Sequence, residues 1–534
     1  MDRRRFLIAL GAGGAAAAGL AGCSDDEASS PRRGRSSSTT TASTTSIPVP
    51  PLPGDPFTLG VASGDPDAAS VILWTRLAPT PLVGGGMPDA PVPVRWEVAA
   101  DEGFADVVSS GVAVAEPDWA HSLHVEAGDL EPDTWYWYRF SVGDQYTSPV
   151  GRTRTAPDQD ADVDRLRFGF ASCQHWESGW YNAHRDIAAD ADLDLLVFLG
   201  DYIYEYGANP VRPGESVRTY NSEEVTDLAG YRNRYALHRT DAHLQAAHAR
   251  CPWMVIWDDH EVENNHAGDH SEDTSVDPAA FRSRRAAAYQ AWYEHTPVRL
   301  DPPAGADYRI HRTFRWGTLA SIFLTDERQY RTDQACGDVT LDLGPACGEE
   351  HSEGRTMLGD EQLQWLLDGL DTSDATWRVW ANEVVMTPIT VGRSILNYDQ
   401  WDGYPDERKK VLDHIDSKGM TNVVVVTGDI HLAGVGDLTV GDGDARRVVA
   451  TELVGTSISS GGLLPAGTED LVTSAVPAIK YVNSSQRGWT VCDVTPERWT
   501  AEFRMVEDNL VDGSPLAVDA TFAITPDRPG ATRA

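Results

Sequence analysis

The chain has 534 residues, of which 41% are hydrophobic, and it carries 44 basic and 81 acidic side chains for a formal net charge of −37. This length and hydrophobic content exclude a mainly disordered protein and allow more than one domain. The negative charge repels polyanions at long range, so it argues against a nucleic-acid-binding surface and against direct binding to anionic lipid.

Residues 1–23 predict an export signal. Three arginines at positions 3–5 precede an Ala/Gly/Leu run that is too short and too rich in glycine to span a membrane well. Residues 2–7 resemble the twin-arginine signal of proteins that are exported already folded, and residues 20–23 resemble a bacterial lipoprotein box. We expect export by the twin-arginine (Tat) route and lipidation of Cys23, which makes the protein lipid-anchored in the cell envelope or secreted. The alternative is that Cys23 is an ordinary residue of a cleaved signal.

Residues 24–53 consist mainly of Ser, Thr, Pro and Arg and predict a disordered tether. Residues 54–157 read as a small all-β domain, because short apolar segments alternate with Gly/Pro/Asp turns. The predicted strands are VILWTRL (71–77), VPVRWEVAA (92–100), SLHVEAG (122–128) and WYWYRFSVG (135–143). Residues 130–136 resemble the tyrosine corner of fibronectin-like and immunoglobulin-like sandwiches. This region has no cluster of acid–base or metal-binding groups, so a packing or substrate-shaping role is expected.

Residues 158–534 have a mixed α/β pattern. The predicted strands are RLRFGFASC (165–173), LDLLVFLGD (193–201), WMVIWDDHE (253–261), TWRVWANEVV (376–385) and VVVVTGDIH (423–431), and the predicted helices cover 179–189, 361–370 and 407–415. These strands are strongly apolar and end in Cys, Asp, Asn or His. In layered α/β folds, ligands bind at the carboxyl ends of strands, where loops converge. The strand ends are therefore the candidate site.

The remaining cysteines suggest one disulfide. Cys336 and Cys347 lie close together in a Gly/Asp-rich loop and can form a bridge in an oxidising compartment. Cys251 and Cys492 are expected to be buried, unreactive thiols.

A set of segments carries a resemblance to a known family. They are GVASGDP…VILWTRL, FASCQHWESGWY, FLGDYIYEYG, WDDHEVENN, LTDERQYRTDQAC, NYDQWDGYPDER and VVTGDIHLA. On these segments the chain is identified as a member of the PhoD-like alkaline phosphatase/phosphodiesterase family, within the calcineurin-like metallophosphoesterases. The resemblance implies an α/β fold, with a metallophosphoesterase-type β-sandwich flanked by helices over 158–534.

The resemblance implies two unlike metal sites that share Asp201. The position that usually holds Asp-x-His reads Ser-Cys-Gln here, so Cys173 provides a thiolate, and Tyr204 stands where another carboxylate is usual. A thiolate and a phenolate together favour a trivalent, strongly Lewis-acidic ion, and the family implies Fe3+. His431 completes this side, and Asp201 bridges to the second ion.

The second metal set is richer in oxygen donors. Asp259 and Asp429 replace amide or nitrogen donors of the general pattern, and Asn382 takes roughly the place of a histidine. Oxygen donors select hard ions, and the family implies Ca2+. Asn264 is a further candidate ligand. The choice between Asn264 and Asn265, and the role of Asp258, stay open at this point.

Asp201 and His260 are the expected catalytic residues. His260 is placed to stabilise or protonate the leaving oxygen, and the alternative is a core histidine hydrogen-bonded to a carbonyl. Arg328, Arg331 and Arg408 are candidate phosphate contacts, although surface ion pairs are the favoured interpretation for each.

The predicted function is that of an extracytoplasmic phosphatase, which releases phosphate from organic monoesters, diesters or both by attack of metal-activated hydroxide. One alternative is a phospholipase-D-like or nucleotide-directed phosphodiesterase on the same centre. The other is a cell-surface adhesive protein with structural metals. We expect a monomer whose only membrane contact is the N-terminal lipid.

Overall fold

A computed structural model describes residues 49–208, 216–337, 345–391, 394–441, 443–462 and 467–534. The predicted signal, Cys23 and most of the tether lie outside the described residues. Within these ranges, none of the helices combines the length and the apolar character that crossing a bilayer requires.

The first eight strands confirm the all-β reading of the N-terminal region. They are β1 (Val61–Gly64), β2 (Val71–Arg76), β3 (Val92–Ala99), β4 (Val107–Ala115), β5 (Ser122–Ala127), β6 (Trp135–Val142), β7 (Tyr146–Thr147) and β8 (Gly151–Arg154). Strands β4, β3, β6 and β7 form one antiparallel sheet, with β8 paired to β6. In β6 every second side chain is buried, as expected for a sheet with one covered face. The Tyr136 hydroxyl accepts a hydrogen bond of 2.9 Å from the Glu131 N–H, which closes the predicted corner.

The rest of the chain contains sixteen further strands among the described residues. They are β9 (Leu166–Ala171), β10 (Leu195–Leu199), β11 (Trp253–Ile256), β12 (Arg312–Trp316), β13 (Ala320–Leu324), β14 (Trp377–Asn382), β15 (Thr390–Val391), β16 (Ser394–Ile395), β17 (Val423–Thr427), β18 (Ala433–Val440), β19 (Arg447–Val454), β20 (Ile479–Asn483), β21 (Gly488–Val494), β22 (Trp499–Val506), β23 (Leu516–Thr525) and β24 (Arg528–Arg533).

The helices of the described residues are α1 (Asn182–Ala189), α2 (Leu228–Arg239), α3 (Ala242–His248), α4 (Pro278–His295), α5 (Gly359–Thr372), α6 (Pro405–Ser417) and α7 (Glu469–Ala475). Each predicted strand and each predicted helix of the catalytic region is present. Helices α2, α3, α4 and α7, strands β12, β13, β15 and β16, and the strands from β18 onward have no counterpart among the predicted elements.

Two large sheets form the core. One has the order β24-β23-β22-β21-β9-β10-β11-β1-β2-β5, and the other has the order β12-β13-β14-β17-β19-β18-β20. Strand β17 shows how they are covered, because Val424 and Val426 pack into the cluster between the sheets, whereas Val423 and Val425 pack against helices α5 and α6. The alternation of side chains along a strand produces this division. The predicted α/β sandwich flanked by helices is therefore confirmed.

Backbone pairing crosses the predicted domain limit at residue 157. Strand β1 pairs in parallel with β11, and β2 and β5 extend the same sheet. The Asp65 carboxylate after β1 accepts a hydrogen bond of 2.7 Å from the Arg299 N–H and pairs with Arg312 at 3.0 Å. The N-terminal region thus shares a sheet with the catalytic region, because β1 completes an edge that β11 leaves unpaired. The domain limits themselves stay a prediction.

Candidate metal centre

The ends of strands from both sheets bring together a row of potential metal ligands. Three overlapping groups each have ligand atoms within 4.8 Å of one another. They are Cys173/Asp201/His431, Asp201/Asp259/His260 and Asp258/Asp259/Asp429. Asp201 belongs to the first two groups and Asp259 to the last two, so the row is continuous. Of the predicted site residues, Cys173, Asp201, Asp259, His260, Asp429 and His431 are therefore adjacent in the structure.

Four of these residues have a left-handed backbone. The φ angles are +60° for Cys173, +56° for Asp201, +62° for Asp429 and +56° for His431. Holding a residue other than glycine in the left-handed region of φ/ψ space costs about 1–3 kcal/mol of conformational free energy, and such residues concentrate at functional sites. Cys173, Asp201 and Asp429 each lie two residues past the end of a buried strand, and His431 lies in the turn between β17 and β18. The strain indicates that donor placement outweighs local stability here.

The donors on one side are linked by hydrogen bonds. The Tyr204 hydroxyl donates to Asp201 Oδ2 at 2.7 Å and lies 3.1 Å from His431 Nε2. His431 Nδ1 lies 2.7 Å from the Gly461 carbonyl, to which it donates, so Nε2 carries the free lone pair. The Ser460 hydroxyl donates to the Tyr204 oxygen at 2.7 Å. Thiol, phenol, imidazole and carboxyl thus meet at one point.

This side has the properties of a cation site. Burial, and then the charge of Asp201, raise the pKa of the Cys173 thiol well above its ordinary value. The same two causes raise the pKa of Tyr204. Burial raises the pKa of Asp201 despite the opposing charge of His260, and Asp201 Oδ1 is buried without a hydrogen-bond partner among the described residues. An orphaned carboxylate oxygen beside a thiol and a phenol fits a strongly Lewis-acidic metal.

Arg328 lies among the carboxylates of the other side. It is fully buried, and its Nε pairs with Asp258. Its Nη1 is 3.0 Å from Asp399, and its Nη2 is 3.2 Å from Asp429 Oδ1 and 3.8 Å from Asp259 Oδ1. Four carboxylates around one guanidinium leave an excess of negative charge. The group retains the oxygen donors and the charge that a hard cation requires.

The interpretation of the three arginines as surface ion pairs is wrong for two of them. Arg328 and Arg331 are 0% and 3% exposed, and Arg331 pairs with Asp399 beneath the site. Arg408 is partly buried and pairs with Asp402 at 2.6 Å. Arg328 and Arg331 are buried because they pair with carboxylates from distant segments. Their local sequence resembles that of a polar loop and therefore does not predict their burial.

The two predicted asparagine ligands have other contacts. The Asn382 amide nitrogen donates to the Val384 carbonyl and, at 3.1 Å, to Thr427 Oγ1, while its oxygen accepts from Trp401 Nε1 at 3.0 Å. For Asn264 the described bond is that of its backbone N–H, which donates to Glu205 Oε1 at 2.9 Å. In the described part of the chain, no hydrogen bond joins either side-chain amide to Asp259 or Asp429, and the ligand roles of Asn382 and Asn264 stay predictions.

His260 is held by a carboxylate. The ring Nδ1 lies 2.7 Å from Glu205 Oε2. The backbone N–H of His260 donates to Asp259 Oδ1 at 2.9 Å. Burial disfavours the imidazolium, but the charges of Glu205, Asp259 and Asp201 outweigh burial and raise the pKa of His260 well above its ordinary value. Because Nδ1 is committed to Glu205, Nε2 is the nitrogen that can face a substrate. The alternative of a core histidine bonded to a carbonyl does not match this geometry.

Sequence reasoning missed the residue that ties two strand ends together. Glu261 Oε2 accepts from the N–H groups of Asp201 at 3.0 Å and Asp258 at 2.7 Å, and its Oε1 accepts from the Tyr202 N–H at 2.5 Å. Glu261 therefore fixes the turns after β10 and β11 against each other. The available signal was a glutamate that follows a buried strand within three residues of a ligand.

The other cysteines of the described residues have the states predicted from the sequence. Cys336 and Cys347 form a disulfide, and Cys251 and Cys492 are buried free thiols. Glu350 lies beside the disulfide.

A sandwich of two sheets whose adjoining strand ends present a shared carboxylate between unlike donor groups defines a metal-dependent phosphoesterase. Two family models match the chain: "PhoD-like phosphatase" over residues 168–503 and "PhoD-like phosphatase, N-terminal domain" over residues 41–157. The chain belongs to the PhoD-like phosphatase family and is an enzyme that hydrolyses phosphate esters.

Two relatives show how far this similarity extends. The chain is 47% identical over 484 residues to alkaline phosphatase D of Bacillus subtilis (strain 168), which covers 89% of this chain and 82% of that protein. It is also similar to a solved structure described as "Structure of PhoD", with 46% identity and a TM-score of 0.87, over 91% of this chain and 93% of that one. The predicted family and enzyme class are thus confirmed.

Proposed function

We propose that this phosphatase releases inorganic phosphate from organic monoesters and diesters with Fe3+ and Ca2+ as its metals. The position of Asp201 carries the proposal, because its carboxylate belongs both to the group with Cys173 and His431 and to the group with Asp259 and His260. A carboxylate shared between two ligand groups is what a two-metal phosphoryl-transfer site requires.

The Fe3+ assignment rests on the donors at the first side. Cys173, Tyr204 and His431 join Asp201 in a buried cluster whose thiol and phenol resist deprotonation. Only a cation of high charge density holds both groups as anions at neutral pH, and Fe3+ combines that charge with affinity for thiolate and phenolate.

The Ca2+ assignment rests on the carboxylates of the second side. Asp258, Asp259 and Asp429 offer oxygen atoms only. Burial raises the pKa of Asp429 to about 7 despite the opposing charge of Arg328, whereas Arg328 and His260 hold the pKa of Asp259 below its ordinary value although burial opposes them. A hard divalent ion that accepts carboxylate and amide oxygens keeps this group ionised. Asn264 and Asn382 remain proposed members of the set.

The chain's own residues provide the proton chemistry. When bound, the two ions neutralise phosphoryl oxygens and make water acidic enough to react near neutral pH. Glu205 keeps a proton on His260 Nδ1 and favours the imidazolium, so His260 Nε2 can give a proton to the leaving oxygen. Arg328 and Arg331 already have carboxylate partners, so bound ions would supply most of the positive charge that holds phosphate.

Location and state are proposed from the sequence. The twin-arginine motif supports folded export, which allows a metal centre to assemble before translocation, and the lipoprotein box supports an anchor on Cys23. Both lie outside the described residues. We further infer a monomer whose only membrane contact is this anchor. The phospholipase-like, nucleotide-directed and adhesive alternatives have no specific observation in their favour.

Elemental analysis combined with turnover tests the proposal. The purified protein is expected to contain iron and calcium and to hydrolyse both a phosphate monoester and a phosphate diester. The Asp201→Asn variant is expected to lose metal and activity together. A matched Asp402→Asn control removes a carboxylate outside the three groups and is expected to retain both metals. A fully active preparation that lacks iron or calcium would overturn the metal assignment, and activity on diesters alone would restrict the substrate class.

A further inference from the structure

A cavity with mixed polar and apolar walls lies between strand β2, the glycine-rich loop at residues 84–86 and helix α2. Its volume is about 240 Å³. The lining includes Arg76, Gly85, His121, Arg232 and Asn233 and one carboxylate, the exposed Asp89, and it shares no residue with the three ligand groups. The cavity can hold a small ion or metabolite but not a macromolecular segment.

Arg76 is a buried cation without a counter-ion. It is 1% exposed, and its Nε donates to the Ala120 carbonyl at 3.0 Å. Its Nη1 donates to the Arg232 carbonyl at 3.4 Å and lies 2.7 Å from His295 Nε2. None of the described carboxylates forms an ion pair with it. Burial lowers the pKa of Arg76 to about 10, although the charge of Glu294 opposes this effect. A buried charge of this kind normally has a partner.

The other nitrogen of Arg76 is directed to the cavity. A Cβ atom on Gly85 would stand 3.3 Å from Arg76 Nη2, so Nη2 lies against the loop that forms one wall. No acceptor for this nitrogen is found among the residues described. Gly85 has a φ of +88°, a left-handed conformation that glycine adopts without strain.

Helix α2 adds two donors to the same cavity. Asn233 Oδ1 accepts from the Gly84 N–H at 3.2 Å, which leaves its NH2 group as a donor. Arg232 uses Nε and Nη2 to bind Glu294 at 2.7 and 2.5 Å, so Nη1 is left over. Glu294 balances the charge of Arg232, and the positive charge of Arg76 remains.

We propose that this cavity binds inorganic phosphate through Arg76, Arg232 and Asn233. A tetrahedral oxyanion offers several acceptors to three convergent donors, and a guanidinium matches its geometry. In a chain with a net charge of −37, an anion can bind only where local cations offset the field. Arg76 provides such a charge at the buried wall of the cavity, whereas the lining carboxylate of Asp89 is exposed to solvent. Phosphate is also the product that a phosphatase generates. The site goes beyond the proposed function and does not depend on which metals the centre holds.

Equilibrium dialysis of the metal-loaded enzyme against radiolabelled inorganic phosphate tests this assignment. Arg76→Met is expected to bind one phosphate fewer per chain than the wild type. Asn233→Ala is expected to retain the site with about tenfold weaker binding, the loss of one hydrogen bond to a charged ligand. Arg309→Met removes an exposed arginine 3.9 Å from Glu361 and is expected to match the wild type.

The readout is a difference of one site, so it stands whether or not the metal centre itself retains phosphate. Equal stoichiometry in the wild type and Arg76→Met overturns the proposal. If circular dichroism and gel filtration show that Arg76→Met is unfolded, Asn233→Ala decides, and unchanged phosphate dissociation constants in that variant overturn the proposal equally.

Discussion

The Tyr204 hydroxyl donates a hydrogen bond of 2.7 Å to Oδ2 of Asp201, three residues earlier in the same turn after β10. The bond requires a protonated phenol, whereas a metal ligand must be a phenolate. Since burial and the charge of Asp201 both raise the pKa of Tyr204, a weak Lewis acid cannot displace this proton. The pair therefore supports the proposed assignment of a strongly polarising cation to this side.

The first prediction concerns colour. Tyr204→Phe and Cys173→Ser are each expected to abolish or shift a visible ligand-to-metal charge-transfer band and to weaken iron binding by at least about 10–100-fold. Absorption spectra of iron-loaded protein provide the measurement. Tyr206→Phe is the control, because that ring lies 6.3 Å from the Tyr204 ring and, among the described residues, its hydroxyl forms no hydrogen bond with Asp201. A colourless, iron-free and fully active enzyme would contradict this prediction.

The second prediction concerns calcium. Treatment with a calcium-selective chelator is expected to reduce turnover strongly without unfolding the protein, because the carboxylates remain held by Arg328. Activity should return on addition of Ca2+. Asp259→Asn and Asp429→Asn are expected to require higher calcium concentrations for half-maximal activity. Activity that survives exhaustive chelation would remove calcium from the mechanism.

The third prediction concerns the stability of the arginine network. Arg328→Met leaves Asp258 and Asp399 buried without their partner, so the free energy of unfolding is expected to fall by about 3–5 kcal/mol. Urea titration followed by circular dichroism measures the change. Arg309→Met removes an exposed pair and is expected to change stability by less than about 1 kcal/mol. Equal stability of both variants would show that the buried charges are compensated elsewhere.

The fourth prediction separates proton donation from positioning. His260→Asn is expected to lower kcat on an alkyl phosphate by about 10²–10⁴-fold, because a poor leaving group needs a proton. The loss should be much smaller on p-nitrophenyl phosphate, whose leaving group needs none. Glu205→Gln should shift the pH–rate profile, since the carboxylate at 2.7 Å favours the imidazolium. Equal losses on both substrates would assign His260 a positioning role.

The fifth prediction concerns acid stability away from the centre. His124 on β5 stacks on Tyr293 with 4.2 Å between ring centroids, and its Nε2 lies 2.8 Å from the Thr296 carbonyl. Burial lowers the pKa of His124 to about 4 from an unfolded value of about 6.5. The unfolded chain therefore binds a proton that the folded chain does not, and stability that is complete above pH 6.5 decreases as the pH falls towards 4.

The size of this effect is up to about 1.4 kcal/mol per pH unit within that window. His124→Gln keeps a donor for the Thr296 carbonyl and is expected to flatten the pH dependence of the unfolding free energy by about one proton between pH 6.5 and 4. Urea titrations at several pH values measure the slope, with circular dichroism at pH 7 as the control for folding. An unchanged slope would show that His124 is protonated in the folded state.

The strand ends were predictable from the sequence because the signals are local. Four consecutive valines before Gly428, Asp429 and His431 indicate a strand covered on both faces, and a polar turn after such a strand lies at the sheet edge. The same reasoning applies to Cys173 and Asp201. The apolar pattern of the strands and the position of these residues at the strand ends identified them as candidate site residues. The family motifs then indicated that they are metal ligands.

Other features depend on contacts that no local pattern contains. Arg328 pairs with Asp258 and Asp399, which are about 70 residues away on either side, and the loop around it reads as polar surface. Strand β1 resembles part of a separate sandwich, yet it pairs with β11, almost 190 residues later. Burial of a charge or pairing of a strand edge is set by the partner, so neither could be read from the segment alone.

The sequence by itself determined the α/β class, the buried strands, the donor types at their ends and the family. The tertiary structure decided which donors share a group, that Asp201 joins two of them, that Glu261 locks their turns, and that Arg76 is buried without a counter-ion. The physical reason is the separation along the chain over which each effect acts. Side-chain periodicity and turn chemistry act over a few residues, whereas electrostatic and coordination geometry depends on distances between segments that only the folded chain fixes.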